Sequence, residues 1–159
     1  MTCSIGKACV FCEIIAGRSP KSLVYEDDNL LVVMDIHPLS EGHCLVIPRQ
    51  HSERVHELAP RLRAHLFEVG VQVRCAITAS ALACDDANFI VNDGCHANQE
   101  VPHVHLHVIP RRKRDHLRIL KRMLRKAFAS WAHQAGYDQL DRQASLIRRA
   151  LPEIIQAPN

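Results

Sequence analysis

The stretch VPHVHLHVIPRR, Val101 to Arg112, places His103, His105 and His107 at alternate positions, with Val104, Leu106 and Val108 between and after them. Period-two alternation belongs to a half-buried β-strand, because successive side chains point to opposite faces of the pleat. Val104, Leu106 and Val108 then face a core. The three imidazoles share the other face, about 6 to 7 Å from one to the next. One exposed histidine on a strand is ordinary, but three in register are not. Imidazole titrates near physiological pH and serves as metal ligand, nucleophile and proton donor, so the row marks a metal site or a reaction site.

The rest of the chain supplies a sheet for this strand. FCEIIAG reads as a short helix closed by Gly17, and SLVYED and NLLVVMDI read as two strands around a polar turn at Asp27 and Asp28. HCLVIP is a third strand. From Pro60 the apolar positions Leu62, Leu66, Val69, Val73 and Ile77 step by four, three, four and four, which is an amphipathic helix with proline in its first turn. NFIVN and the histidine strand follow, with DGCHANQE as the polar loop between them. The expected fold class is α+β: a five-stranded, mainly antiparallel sheet, one long helix over it, and a short N-terminal helix.

Beyond Pro110 the character changes. Leu117, Leu120, Leu124, Ala127 and Trp131 keep helical spacing, and Leu140, Ala144, Ile147, Leu151 and Ile154 resume it after a break at Gly136. We therefore expect a domain over residues 1–115 and a basic helical extension over 116–159, folded onto the domain or onto a second subunit. Whole-chain charge is +3, yet Arg111 to Lys126 holds nine Lys or Arg against Asp115, a local +8 that leaves −5 for the remainder. A basic face of this kind could grip nucleic acid, but it lacks interleaved aromatics for base stacking, so a solvated helix face is expected instead.

At 159 residues with 47% hydrophobic content, the chain can bury one sizeable core. No apolar run approaches the roughly 18 residues of a membrane span, and the N-terminal MTCSIGKACVFCEII has no basic region followed by an apolar block. A cytoplasmic location is the expectation. Seven scattered cysteines do not resemble a disulfide framework, which leaves free thiols and metal ligands.

The triad, with CVFCEIIAG, YEDDNLLVVMDIHPLSEGHCLVIPRQH, FIVNDG and NQEVPHVHLHVIPR in the same order, resembles the histidine triad (HIT) superfamily over residues 9–112. The resemblance implies a nucleotidyl hydrolase or transferase that releases a nucleoside monophosphate, such as AMP, from a leaving group. His105 would be the nucleophile that forms a covalent nucleotidyl-histidine. His107 would hydrogen-bond the phosphate or leaving group, and Asn92 with the loop at Asn98, Gln99 and Glu100 would bind phosphate oxygens. Asp35 would accept from the ribose hydroxyls, with Val10, Phe11, Met34 and Ile36 lining the base. Read without the resemblance, those apolar residues are ordinary core and Asp35 a turn cap.

CVFC gives Cys9 and Cys12 the spacing of a zinc knuckle, although thiols buried at a helix start fit that pattern equally. The resemblance implies that His51 and His103 complete a structural Zn2+ site, and that the protein is a homodimer acting on a purine nucleotide. Two positions depart from the family pattern: Asn98 stands where glycine is common, and Glu100 where Ser or Thr is common. Other readings of the same residues are a dinucleoside polyphosphate hydrolase and a catalytically weak nucleotide-binding scaffold.

Overall fold

A computed structural model describes residues 9–82, 84–128 and 135–155. Trp131 lies outside the described residues, as do the side chains of Ala127 and Ile154. Five strands, β1 (Leu23–Glu26), β2 (Leu30–Met34), β3 (Cys44–Pro48), β4 (Asp86–Val91) and β5 (Leu106–Arg111), form one sheet in the order β1-β2-β3-β5-β4. Every neighbouring pair is antiparallel. The expected α+β class and antiparallel sheet are what the chain forms.

Helix α1 (Val10–Ile15) packs on one face of this sheet, and α2 (Pro60–Ala79) and α4 (Tyr137–Ile155) on the other. α3 (His116–Phe128) joins the sheet to α4. Gly17 ends α1 at φ +74°, the left-handed region where a side chain is costly. α2 begins on Pro60, whose missing N–H is unneeded in a first turn.

The strand pairing gives the two faces distinct contents. Val33 opposes Leu45, and Leu45 opposes His107, so this row shares the α1 face with Phe11, Leu31 and Ile47. The next row, Met34, Cys44 and Val108, lies on the α2 face with Leu30, Val32, Val46, Val104 and Leu106. α2 presents Gly70 to this face, where a Cβ would stand 2.7 Å from Leu106 Cδ2. Glycine therefore lets the helix sit closer to β5 than a side chain at this position would permit. Leu140, Ala144, Ile147 and Leu151 of α4 are buried in the same cluster, so α4 folds onto the sheet domain of its own chain.

One expectation is corrected. The triad does not lie wholly within a strand: β5 starts at Leu106, and His103 and His105 precede it. The alternation survives outside the ladder because Val104 N–H still donates to Ser52 O at 2.8 Å while its side chain stays in the core. Among the described residues, no helix is long and apolar enough to cross a membrane.

Candidate active site and metal centre

The entry to β5 lies between the α1 segment and the chain that follows β3. His103 is fully buried there, and its Nε2–H donates to the Pro48 carbonyl at 2.8 Å. That bond leaves Nδ1 with an exposed lone pair directed at Cys9, Cys12 and His51. Nδ1 is 3.4 Å from Cys9 Sγ, 3.8 Å from Cys12 Sγ and 3.2 Å from His51 Nδ1, and Cys12 Sγ is 3.4 Å from His51 Nδ1. Zn–N and Zn–S bonds of about 2.0 to 2.3 Å in a tetrahedron place their donors about 3.3 to 3.8 Å apart. The four residues therefore fit a tetrahedral cation with little movement. Burial, aided by the neighbouring His51 and His105 rings, pulls the His103 pKa down to about 4 against the Pro48 carbonyl, which keeps the ring neutral as a ligand must be. Burial and the neighbouring Cys9 push the Cys12 thiol up, so a cation bound there would have to displace its proton.

The carbonyl of His103 has a second task. His105 Nδ1–H donates to it at 2.7 Å, so the Nε2 lone pair of His105 is fixed and points away from the backbone. The Phe11 ring meets both imidazoles edge-on, its centroid 5.8 Å from that of His103 and 5.0 Å from that of His105. Both rings are thereby held by packing as well as by hydrogen bonds.

His107 belongs to a relay that sequence reasoning missed. Leu39 N–H donates to His43 Nδ1 at 3.1 Å, which leaves the His43 proton on Nε2. That Nε2–H donates to His107 Nδ1 at 3.0 Å, and His107 in turn carries its proton on Nε2. Asp35 Oδ2 lies 3.4 Å from His43 Nδ1 and 3.9 Å from His107 Nδ1, while Oδ1 accepts His37 N–H at 2.8 Å. Asp35, His43 and His107 gather donor atoms closely enough to suggest a second cation site. The Leu39 N–H already on His43 favours a hydrogen-bond relay there instead. A lone histidine in GHC gives no signal; β3–β5 pairing is what brings it to His107.

The remaining sequence candidates divide. Phe11, Asp35, His105 and His107 come together, while Val10 is exposed on α1. Met34 does not: it is 2% exposed on the α2 face, within reach of Cys44 Sγ at 3.7 Å, and Ile36 packs against that same cluster. On the histidine face, β2 presents Leu31 and Val33, not Met34. In the loop after β4, Asn92 Nδ2 donates to the Asn98 carbonyl at 3.3 Å. Gln99 ties the loop at both ends of its amide, accepting Gly94 N–H at 2.7 Å and donating to Glu53 O at 2.9 Å. Asn98 stands at φ +61°, the left-handed conformation that asparagine tolerates in place of glycine. Glu100 is exposed.

A backbone-aimed imidazole, a second imidazole oriented by a third, and a buried carboxylate on one face of a five-stranded antiparallel sheet are the constellation of a histidine-triad domain. The family model described as the HIT domain matches residues 16–114. The chain belongs to the HIT family. It is 42% identical over 107 residues to adenylylsulfatase HINT3 of Arabidopsis thaliana, covering 67% of this chain and 54% of that protein. It is 33% identical over 109 residues to adenosine 5'-monophosphoramidase HNT1 of Saccharomyces cerevisiae, covering 69% and 66%. Among solved structures, a Zn-bound histidine triad family protein from Mycobacterium smegmatis aligns with a TM-score of 0.78 at 35% identity, over 95% of this chain and 98% of that one.

Proposed function

We propose that this protein is a nucleotidyl hydrolase or transferase that cleaves AMP from a leaving group through a covalent nucleotidyl-histidine at His105. The observation that carries the reading is the 2.7 Å bond from His105 Nδ1–H to the His103 carbonyl, which presents Nε2 as a fixed nucleophile. Nε2 attacks the α-phosphorus, the leaving group departs with the electron pair of its bond to phosphorus, and water then cleaves the P–N bond. His107 Nε2–H hydrogen-bonds the phosphate or the departing atom, with its orientation maintained by His43. Asp35 accepts from the ribose, Val10 and Phe11 border the base, and Asn92 with the 98–100 loop faces the phosphate. The named activities of the Arabidopsis and yeast relatives support an adenylyl group as cargo.

Cys9, Cys12, His51 and His103 hold Zn2+ in this reading, supported by the 3.2 to 3.8 Å donor separations. Zinc would supply a crosslink between α1, the segment after β3 and the entry to β5, with no open coordination position for substrate. A homodimer is part of the same proposal. β4 ends the sheet, and Phe67, Val71, Phe89 and Ile90 are exposed on it and on α2.

Turnover of adenosine 5'-phosphoramidate, adenylyl sulfate and diadenosine polyphosphates, measured side by side, tests the activity and ranks the leaving groups. Replacement of His105 by Ala should cut turnover of the best of these by several orders of magnitude while AMP binding persists, because only a transition-state interaction is lost. Comparable turnover in the variant would refute the nucleophile. Elemental analysis of protein purified without chelator should find one zinc per chain, and His103→Ala should lose it.

A further inference from the structure

The 36–42 loop joins β2 to β3, with Asp35 at its start and His43 at its end. The C-terminal part of the chain holds this loop from behind. Ala135 N–H donates to Ile36 O at 2.9 Å, Arg122 Nη1 to Pro38 O and Leu39 O at 3.3 and 3.0 Å, and Gly42 N–H to Gln143 Oε1 at 3.0 Å. Between loop and helices lies a cleft of about 230 Å³, lined by Ser40, Glu41, Arg118, Arg122 and Gln139 among others. Its lining is polar in a way that packing does not account for. Ser40 is 1% exposed, yet its Oγ has no hydrogen-bond partner among the described residues. Buried hydroxyls are nearly always paired, so this one is an exception in the packing behind the cleft. Two guanidinium groups line the same space. The single acid there, Glu41, is drawn toward Arg112 Nη2 at 3.7 Å.

We propose that this cleft binds a tetrahedral oxyanion, a phosphate or a phosphoryl group, separately from the nucleotide site. Arg118 and the nitrogens of Arg122 not engaged with the loop supply charge and forked donors suited to such an anion. The Gln139 amide supplies a neutral donor. The cleft is smaller than the roughly 300 Å³ at which pockets for drug-sized ligands begin, so it takes the anion or a small molecule bearing it, not a second nucleotide. An anion bridging α3 to the loop braces the segment that carries Asp35 and His43. That regulatory effect rests on the function proposed above, but the binding does not.

Calorimetric titration of inorganic phosphate into the full-length protein, with and without excess AMP, tests the site. The expected result is one phosphate per chain that survives AMP. Arg118→Gln should weaken that binding at least tenfold with the melting temperature unchanged, since Arg118 is a surface residue, and Glu41→Gln should tighten it. Absence of binding, full displacement by AMP, or an unaltered affinity in Arg118→Gln overturns the proposal. Failure of AMP itself to bind would count against the nucleotide reading, while the phosphate titration would still report on the cleft.

Discussion

At the scale of single residues, the site is a matter of which imidazole nitrogen carries the proton. His105 gives its Nδ1–H to a carbonyl, which in the proposed reaction leaves Nε2 to attack, while His107 accepts from His43 at Nδ1, which places its own proton on Nε2 for the proposed donor role. Two side chains of identical chemistry thus take opposite roles through their backbone and neighbour contacts. His43→Ala leaves His107 free to exchange tautomers, so kcat should fall about 10- to 100-fold with little change in KM, the usual cost of losing an orienting partner. The basic limb of the pH–rate profile should shift as well, and His43→Gln, which retains a donor N–H, should recover part of the loss. Unchanged kcat in His43→Ala would remove the relay from the mechanism. The histidines of the proposed reaction stood out in the sequence because three imidazoles in register have few other uses. His43 was not, because its role arises from pairing across 64 positions of chain. Met34 shows the complementary failure. All of LLVVM is buried, so β2 carries apolar residues on both faces and its pattern contains no phase to tell which face meets the ligand.

At the scale of elements, the periodicities worked where one face is wet or where spacing is long. α2 follows its four-and-three steps onto the sheet, and Pro60 begins it as expected. The start of β5 could not be read, since alternation continues through His103 and His105 although the ladder begins only at Leu106. There the chain is turned by side-chain and single backbone bonds to Pro48 and Ser52, which leave no trace in a hydrophobic pattern. The close crossing of α2 over β5 makes a direct prediction. Gly70→Ala drives a methyl into fully buried Leu106, and should destabilise the fold by about 1 to 3 kcal/mol, read as a lower urea midpoint at unchanged slope. A variant as stable as the parent would mean that α2 can move outward without cost.

At the scale of the whole molecule, the sheet ends in β4, whose residues are mostly exposed although Phe89, Ile90 and Val91 are apolar. Pairing two such edges about a two-fold axis would cover them together with Phe67 and Val71 of α2. Light scattering at micromolar concentration should therefore give twice the chain mass of 17.9 kDa, and Ile90→Lys should shift it toward a single chain; a monomeric parent protein would refute this arrangement. Within each chain, the proposed metal centre and the nucleophile are not independent, because His103 serves both: its ring faces Cys9, Cys12 and His51, and its carbonyl aims His105. Linkage between two such centres is reciprocal. Whatever affinity zinc adds to the proposed nucleotidyl state of His105, that state adds equally to zinc, so an enzyme in mid-turnover would hold the ion more tightly than an idle one, and scarcity of metal would disable the unused molecules first.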